Sequence, residues 1–106
     1  MQPIAGAEAQ VRQALDALCG RTVYVHLECI PGGFLRNARL ELRQAHLRGA
    51  GGYRVALRCA EDAWVRAEDL THWEQDAEGR LHFLAFADAQ ERLRHTLEIS
   101  LTPLPG

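Results

Sequence analysis

The hydrophobic and polar residues of this chain follow two different periods. In the first segment, residues 7–19, the apolar residues recur at the spacing of one helix face: Val11, Ala14, Leu15 and Leu18. We therefore predict an N-terminal α-helix that ends at Gly20. From residue 22 onward the pattern alternates with a period of two, which is typical of β-strands. The predicted strands cover residues 22–30, 34–48, 53–59, 63–67, 80–87 and 90–101.

The segment 34–48 fits both periods. Helix spacing matches four of its apolar residues, whereas a strand requires a slip in phase near Gln44, as a β-bulge would produce. The turn-forming residues 31–33 before it and 49–52 after it favour the arm of a hairpin, so we predict a strand. Residues 68–73 show neither period clearly, and we predict irregular chain or a single helical turn there.

About six closely spaced strands after one helix predict a mostly β domain spanning residues 1–106. Such strands form an antiparallel sheet that curls into a barrel or a sandwich. The strand 80–87 is apolar on both faces, because Leu84 and Phe86 lie opposite its core-facing residues. A chain of 106 residues is short for covering both faces of a strand, so we expect a homodimer.

Composition excludes several classes of protein. Twelve basic and fourteen acidic residues give a net charge of −2, which disfavours a nucleic-acid-binding protein and a polybasic membrane-surface module. The chain lacks lysine, which excludes lysine-based catalysis. It has neither a long apolar run nor a signal-peptide pattern, so we expect a cytoplasmic protein. Three cysteines without a C-x-x-C motif predict reduced, buried thiols.

Two His-x-Glu pairs are candidates for polar chemistry: His26 with Glu28, and His72 with Glu74. On a strand, a spacing of two directs both side chains to one face. Each pair could recognise a small molecule or carry out acid–base chemistry, and two converging pairs could bind a divalent cation. The alternative is a His–Glu pair on a solvated sheet face. We assign no metal or cofactor.

Arginine and tryptophan supply the other candidate site. Arg36 and Asn37 interrupt an apolar segment, while Arg54 and Arg58 share one strand face and could bind an anion or a carboxylate. The alternative is cross-strand pairing with Glu41 or Glu68. Tryptophan is seldom found fully exposed on a surface, so we expect Trp64 and Trp73 in the core or at an interface or pocket wall. The lone serine, Ser100, lies inside a strand and outside any G-x-S-x-G motif, which argues against serine hydrolase chemistry.

Four blocks of sequence, residues 24–28, 34–38, 52–57 and 64–71, resemble the YojF-like family of small bacterial proteins. The resemblance implies a barrel-like β fold with an N-terminal helix and a tendency to dimerise. Members of this family have no established activity and are often encoded beside a zinc-dependent deacetylase of bacillithiol biosynthesis. The connection 29–33 looks shorter than that of the family. With His72 from the second His-x-Glu pair, the candidate ligand-binding residues are His26, Glu28, Arg36, Asn37, Arg54, Trp64, Glu68 and His72.

Together these observations favour a non-catalytic accessory or small-ligand-binding homodimer linked to low-molecular-weight thiol metabolism. The bacillithiol-biosynthesis deacetylase is the expected partner, on the strength of the resemblance alone. One alternative is a small enzyme that uses His26 and Glu28, with or without a metal. A second alternative is a plain dimerisation module.

Overall fold

The computed structural model describes residues 1–90 and 92–105. It contains one α-helix, eight strands and a short 3₁₀ turn at Ala60–Asp62. The elements follow in the order β1 (Gln2–Pro3), α1 (Glu8–Asp16), β2 (Thr22–Cys29), β3 (Gly33–Gly49), β4 (Tyr53–Cys59), β5 (Trp64–Leu70), β6 (His72–Gln75), β7 (Leu81–Phe86) and β8 (Leu93–Ser100).

The strands form one antiparallel sheet in the order β1-β6-β7-β8-β2-β3-β4-β5. The sheet curls until its edge strand β5 contacts β7, but it does not close. The mostly β prediction with one N-terminal helix is therefore confirmed, and the shape is that of an open barrel. No helix in the described part of the chain has the length and apolar character needed to cross a membrane.

The core fills the concave side of the sheet. Helix α1 packs against β3 and buries Val11 and Leu15, two residues of the predicted apolar stripe. The helix ends earlier than predicted, at Asp16, and a turn leads to Gly20 in the left-handed conformation (φ 86°). The Gly20 N–H donates to the Leu42 carbonyl, which ties this turn to β3. The fully buried side chains of the sheet include Val25, Leu57, Leu81, Phe83, Leu97 and Ile99.

Strand β3 spans 17 residues, so the strand prediction for 34–48 was correct. Its register shifts between Leu42 and Gln44, where Arg43 is the extra residue opposite β4. The predicted slip near Gln44 is this bulge. A second bulge at Arg36 and Asn37 breaks the alternation again, and the two slips explain why helix spacing also matched the segment.

The prediction of irregular chain at 68–73 was wrong. Strand β5 continues to Leu70, and β6 begins at His72 and pairs with β7. A bulge at Glu68 and Asp69 shifts the phase of the sequence pattern there, because two residues of β5 lie opposite Arg54 of β4. The two-residue strand β1, which pairs with β6, was also not predicted.

Candidate functional site

His26 faces a β-bulge at the centre of the candidate site. Val25 pairs with Ala38 and Leu27 with Leu35, so two residues of β3, Arg36 and Asn37, lie opposite His26 alone. Asn37 adopts the left-handed conformation (φ 59°), which asparagine tolerates better than most residues. Bulges of this kind bend a strand and redirect its side chains. Here the bulge directs the Asn37 N–H at the His26 ring.

A chain of hydrogen bonds fixes the tautomer of His26. The backbone N–H of Asn37 donates to Nδ1 of His26 at 3.0 Å, so Nδ1 is the acceptor and the ring proton resides on Nε2. Nε2–H then donates to Ser100 Oγ at 2.8 Å. The Ser100 hydroxyl donates in turn to the Thr102 carbonyl at 2.8 Å. His26 is thus a neutral donor toward Ser100 and does not act as the base that would activate the hydroxyl.

The surroundings of His26 favour this neutral form. The side chain is 4% exposed although it projects from the outer side of the sheet. Burial lowers the pKa of His26 from its ordinary value, and the positive charges of Arg36 and Arg80 lower it further, against an opposing effect of Glu98. A buried, neutral imidazole that forms hydrogen bonds through both ring nitrogens is a structural element of this sheet.

The segment that follows β8 covers His26 and is held by the same bulge. Asn37 Nδ2 donates to the Leu104 carbonyl at 2.7 Å, and the Leu104 N–H donates back to Asn37 Oδ1 at 2.8 Å. Arg36 donates to the Pro105 carbonyl at 2.9 Å, and its guanidinium lies 5.0 Å from the centre of the Phe34 ring. Two of the predicted site residues, Arg36 and Asn37, therefore bind the chain's own C-terminal segment.

A cavity of about 410 Å³ lies between this segment and the β6–β7 turn, with Ser100, Thr102 and Arg80 among its walls. Arg80 is already paired, with Asp76 at 3.1 Å and Glu98 at 3.4 Å. The site near His26 is therefore concave, but the arginine in its wall is neutralised internally.

The two His-x-Glu pairs do not converge. Glu74, His82, Glu98 and His26 form one cross-strand row through β6, β7, β8 and β2. Three strand spacings, roughly 14 Å in total, therefore separate Glu74 from His26. Among residues 1–90 and 92–105, no group of three or more histidine, cysteine, aspartate or glutamate side chains is arranged to hold a metal ion. The hypothesis of a cation held between the two pairs fails for this reason.

His72 contacts only its neighbours, and Glu28 forms no side-chain hydrogen bond in the described part of the chain. The His72 Nδ1 lies 2.8 Å from the Thr71 hydroxyl, and the His72 ring meets Phe86 edge to face at 5.1 Å. Glu28 is half-buried opposite Thr96, and it takes part in none of the side-chain hydrogen bonds found in the described part of the chain. His26 and Glu28 do not act on each other, because the hydrogen bonds of His26 go to Asn37 and Ser100.

The second group of predicted residues sits at another bulge. Glu68 and Asp69 of β5 lie opposite Arg54, and Asp69 adopts the left-handed conformation (φ 57°). One oxygen of Glu68, Oε1, accepts from Nε of Arg54 at 2.9 Å and lies 3.0 Å from Nε of Arg66, with which it forms an ion pair. The predicted pairing of Arg54 with Glu68 is present, whereas Arg58 pairs with Asp62 at 2.8 Å.

Beside this bulge the outer side of β3, β4 and β5 carries a concave surface that we call the arginine face. It encloses about 370 Å³ and is lined by His46, Arg48, Arg54, Ala56, Trp64 and Arg66. Trp64 is 55% exposed and stacks on His46 with ring centres 6.4 Å apart. Trp64 thus forms a pocket wall, whereas Trp73 is buried in the core.

The two bulges do not form one site. Asn37 and Arg48 are both on β3 but eleven residues apart, which corresponds to roughly 35 Å of strand. His26, Arg36 and Asn37 therefore belong with the C-terminal segment, while Arg54 and Trp64 belong to the arginine face and Glu68 to the bulge beside it.

Sequence reasoning missed four residues of the arginine face, His46, Arg48, Ala56 and Arg66. A usable signal was present at the turn 49–52. Counting back from a three-residue loop at 50–52 places Arg48 opposite Arg54 and His46 opposite Ala56, as the structure shows, whereas a four-residue loop at 49–52 shifts this register by one residue. Arg66 could not be placed in this way, because the register of β5 depends on the bulge at Glu68 and Asp69.

The prediction that all three cysteines are buried was wrong in one case. Cys59 is buried and Cys19 half-buried, and burial raises the pKa of both thiols. Cys29 is exposed, because β2 ends there at the tip of the β2–β3 hairpin. All three are free thiols.

The architecture defines a class of small β proteins in which one curled, bulged antiparallel sheet carries a single N-terminal helix. Residues 30–104 match the family described as a protein of unknown function, DUF1806. The chain is similar to the uncharacterized protein YojF of Bacillus subtilis (strain 168), with 35% identity over an alignment of 85 residues; the match covers 67% of this chain and 72% of YojF. The crystal structure of Bacillus subtilis YojF superposes with a TM-score of 0.81 and 33% identity, and the match covers 92% of this chain and 93% of that one. This chain belongs to the DUF1806 family.

Proposed function

We propose that this protein is a non-catalytic accessory protein, a homodimer that binds a small polar ligand and serves an enzyme of low-molecular-weight thiol (bacillithiol) metabolism. The observation that carries this proposal is the hydrogen-bond chain from Asn37 through His26 and Ser100 to Thr102. It engages both nitrogens of the histidine and the only serine in backbone and side-chain contacts that hold the C-terminal segment. A general base needs a free nitrogen within reach of its proton, and His26 has none in this arrangement.

The concave surfaces distinguish a binding protein from a plain dimerisation module. Cavities of about 410 Å³ and 370 Å³ lie beside Ser100 and Arg54, within the size range of sites for small ligands. Dimerisation alone does not require a concave surface lined by arginines, such as the one beside Arg54.

An apolar patch around the β2–β3 hairpin supports the homodimer. Its exposed members are Ile30, Phe34 and Leu93, with exposed fractions from 38% to 63%. The neighbouring Leu35 pairs with the core-facing Leu27 and therefore points to the other face of the sheet. On the same outer side, Leu84 and Phe86 of β7 are only half-buried. A second copy of the chain that covers this patch would remove the apolar surface from water.

Sedimentation at low micromolar concentration tests the homodimer. We expect the mass of two chains for the unaltered protein and of one chain for Phe34→Arg, because the substitution places a charge in the middle of the patch. Trp64→Arg is the matched control, since Trp64 is a similarly exposed aromatic residue outside the patch, and it should remain dimeric. A monomeric unaltered protein, or a Phe34→Arg variant that stays dimeric, would refute this interface.

Mixing with the deacetylase of bacillithiol biosynthesis from the same organism tests the accessory role. We expect a complex by light scattering and a changed rate of deacetylation. His26→Gln should leave that rate change intact wherever the variant folds, because His26 serves the fold. If the two proteins do not associate and the rate does not change, the accessory role is wrong.

A further inference from the structure

Like charges face each other on the arginine face. Arg48 lies directly opposite Arg54 across the β3–β4 pair, and Arg66 lies opposite Ala56 in the neighbouring row. Directly opposed like charges destabilise a sheet. Among residues 1–90 and 92–105, Arg48 has no carboxylate within ion-pair distance, and one glutamate, Glu68, serves both Arg54 and Arg66. The guanidinium groups thus outnumber the carboxylates that neutralise them.

A small side chain forms the floor of this surface. Ala56 lies in one cross-strand row between His46 and Arg66, and these longer side chains leave it only 8% exposed. The alanine leaves a recess between them that a larger side chain would fill. Trp64 closes one side with an exposed indole, a surface on which rings stack.

Glu68 occupies the position that the acidic group of a ligand would take. A single oxygen of its carboxylate accepts from Nε of Arg54 at 2.9 Å and lies 3.0 Å from Nε of Arg66. The Glu68 side chain is 46% exposed, so it can turn into solvent without crossing the core. Arginine presents a planar fork of donors that suits carboxylate and phosphate oxygens.

We propose that the arginine face binds a small oxyanion that carries a ring, and that this ligand replaces Glu68 on Arg54 and Arg66. The acidic group binds the guanidinium groups of Arg48, Arg54 and Arg66, and the ring lies over Ala56 against Trp64. This inference rests on the proposed ligand-binding function and identifies its ligand class. Phosphate and carboxylate share the same chemistry here, and an aromatic ring and a sugar ring can both lie against the indole.

Isothermal titration calorimetry at low ionic strength tests the proposal with four probes: phenyl phosphate, glucose 6-phosphate, benzoate and inorganic phosphate. We expect saturable binding of the ring-bearing anions, weaker binding of inorganic phosphate, and loss of affinity as salt is added. Comparing the affinities of phenyl phosphate and benzoate distinguishes a phosphate from a carboxylate ligand. Comparing phenyl phosphate with glucose 6-phosphate distinguishes an aromatic ring from a sugar ring.

Four variants assign the contacts. Glu68→Gln removes the competing charge and should tighten binding about tenfold, whereas Arg66→Gln should weaken binding of every probe by a similar factor. Trp64→Ala should weaken the ring-bearing probes and leave inorganic phosphate unchanged. Ala56→Leu should abolish binding by filling the recess. Arg43→Gln, which alters an exposed arginine paired with Glu41 outside this surface, is the control and should bind like the unaltered protein.

The proposal is overturned if Glu68→Gln binds none of the four probes saturably, or if Arg66→Gln binds them as well as Arg43→Gln does. Arg66 is exposed, so its variant should fold and the comparison remains decisive even where Ala56→Leu is unstable. Such a result would not touch the accessory function, which is tested by association with the deacetylase. Conversely, anion binding without any association would refute the accessory function alone.

Discussion

Replacing Asn37 with alanine should destabilise the fold through three separate losses at one position. The side chain gives up its two hydrogen bonds with Leu104, one as donor at 2.7 Å and one as acceptor at 2.8 Å. Alanine must also adopt the left-handed backbone conformation that asparagine holds here (φ 59°). The Asn37 N–H that binds His26 remains, but only while the bulge keeps its geometry.

The magnitude follows from these contacts. Two hydrogen bonds at about 1 kcal/mol each amount to about 2 kcal/mol. The left-handed conformation adds about 1 kcal/mol for alanine over asparagine, so Asn37→Ala should lower the free energy of unfolding by about 3 kcal/mol. Asn37→Gly loses the same hydrogen bonds without the conformational cost, so it should be more stable than Asn37→Ala by about 1 kcal/mol.

Equilibrium unfolding in urea measures both variants, and the alanine variant should unfold at a midpoint roughly 1–3 M lower. Truncation after Thr102 provides a second route, because it removes the partners of Asn37 and the Arg36 contact with Pro105. The truncation combined with Asn37→Ala should cost about 2 kcal/mol less than the sum of the separate effects, since both remove the same two hydrogen bonds. Additive effects, or equal stability of the glycine and alanine variants, would refute the reasoning.

Three further predictions follow from burial. Because the pKa of His26 is lowered in the folded state, the unfolded chain binds more protons than the folded one. The free energy of unfolding should therefore fall as the pH drops from neutral through 6.5, the ordinary histidine value. The free energy of unfolding of His26→Gln should depend less steeply on pH, and an unchanged slope would contradict this. Phe83→Ala should lower the free energy of unfolding by about 3–5 kcal/mol, since Phe83 is fully buried, and a midpoint unchanged in urea would refute the assigned core. An aromatic disulfide reagent should label Cys29 fastest, and Cys29→Ser should remove the fast phase because burial protects Cys59; a fast phase that survives would place the reactive thiol elsewhere.

The alternation of apolar residues determined most of the fold. The core-facing positions of β2, β4, β7 and β8 could be read directly from the sequence, because each sheet face repeats every second residue. The same rule failed at 68–73. There Glu68 and Asp69 together oppose one residue of β4, and this bulge interrupts the alternation, so the segment does not show the period of a continuous strand.

For the candidate site, the sequence supplied the residue types and the tertiary structure decided their roles. The pattern singled out Arg36 and Asn37 because they interrupt an apolar segment, and Arg54 because it shares a strand face with Arg58. The pattern did not reveal that the C-terminal segment folds back over Asn37, a contact between residues 67 positions apart. Nor did it reveal that the Asn37 N–H and the Ser100 hydroxyl engage both ring nitrogens of His26, which makes this residue a buried structural donor and not a base.

The sequence by itself therefore determined that this chain forms a curled antiparallel sheet with one helix, because burial periodicity is a local property of the chain. Only the tertiary structure decided that the predicted site divides between two separate bulges, one on β3 that binds the C-terminal segment and one on β5 beside the solvent-exposed arginine face. Cross-strand neighbours depend on the register of the strands. The sequence of a single strand does not encode this register, because bulges and partner strands set it jointly.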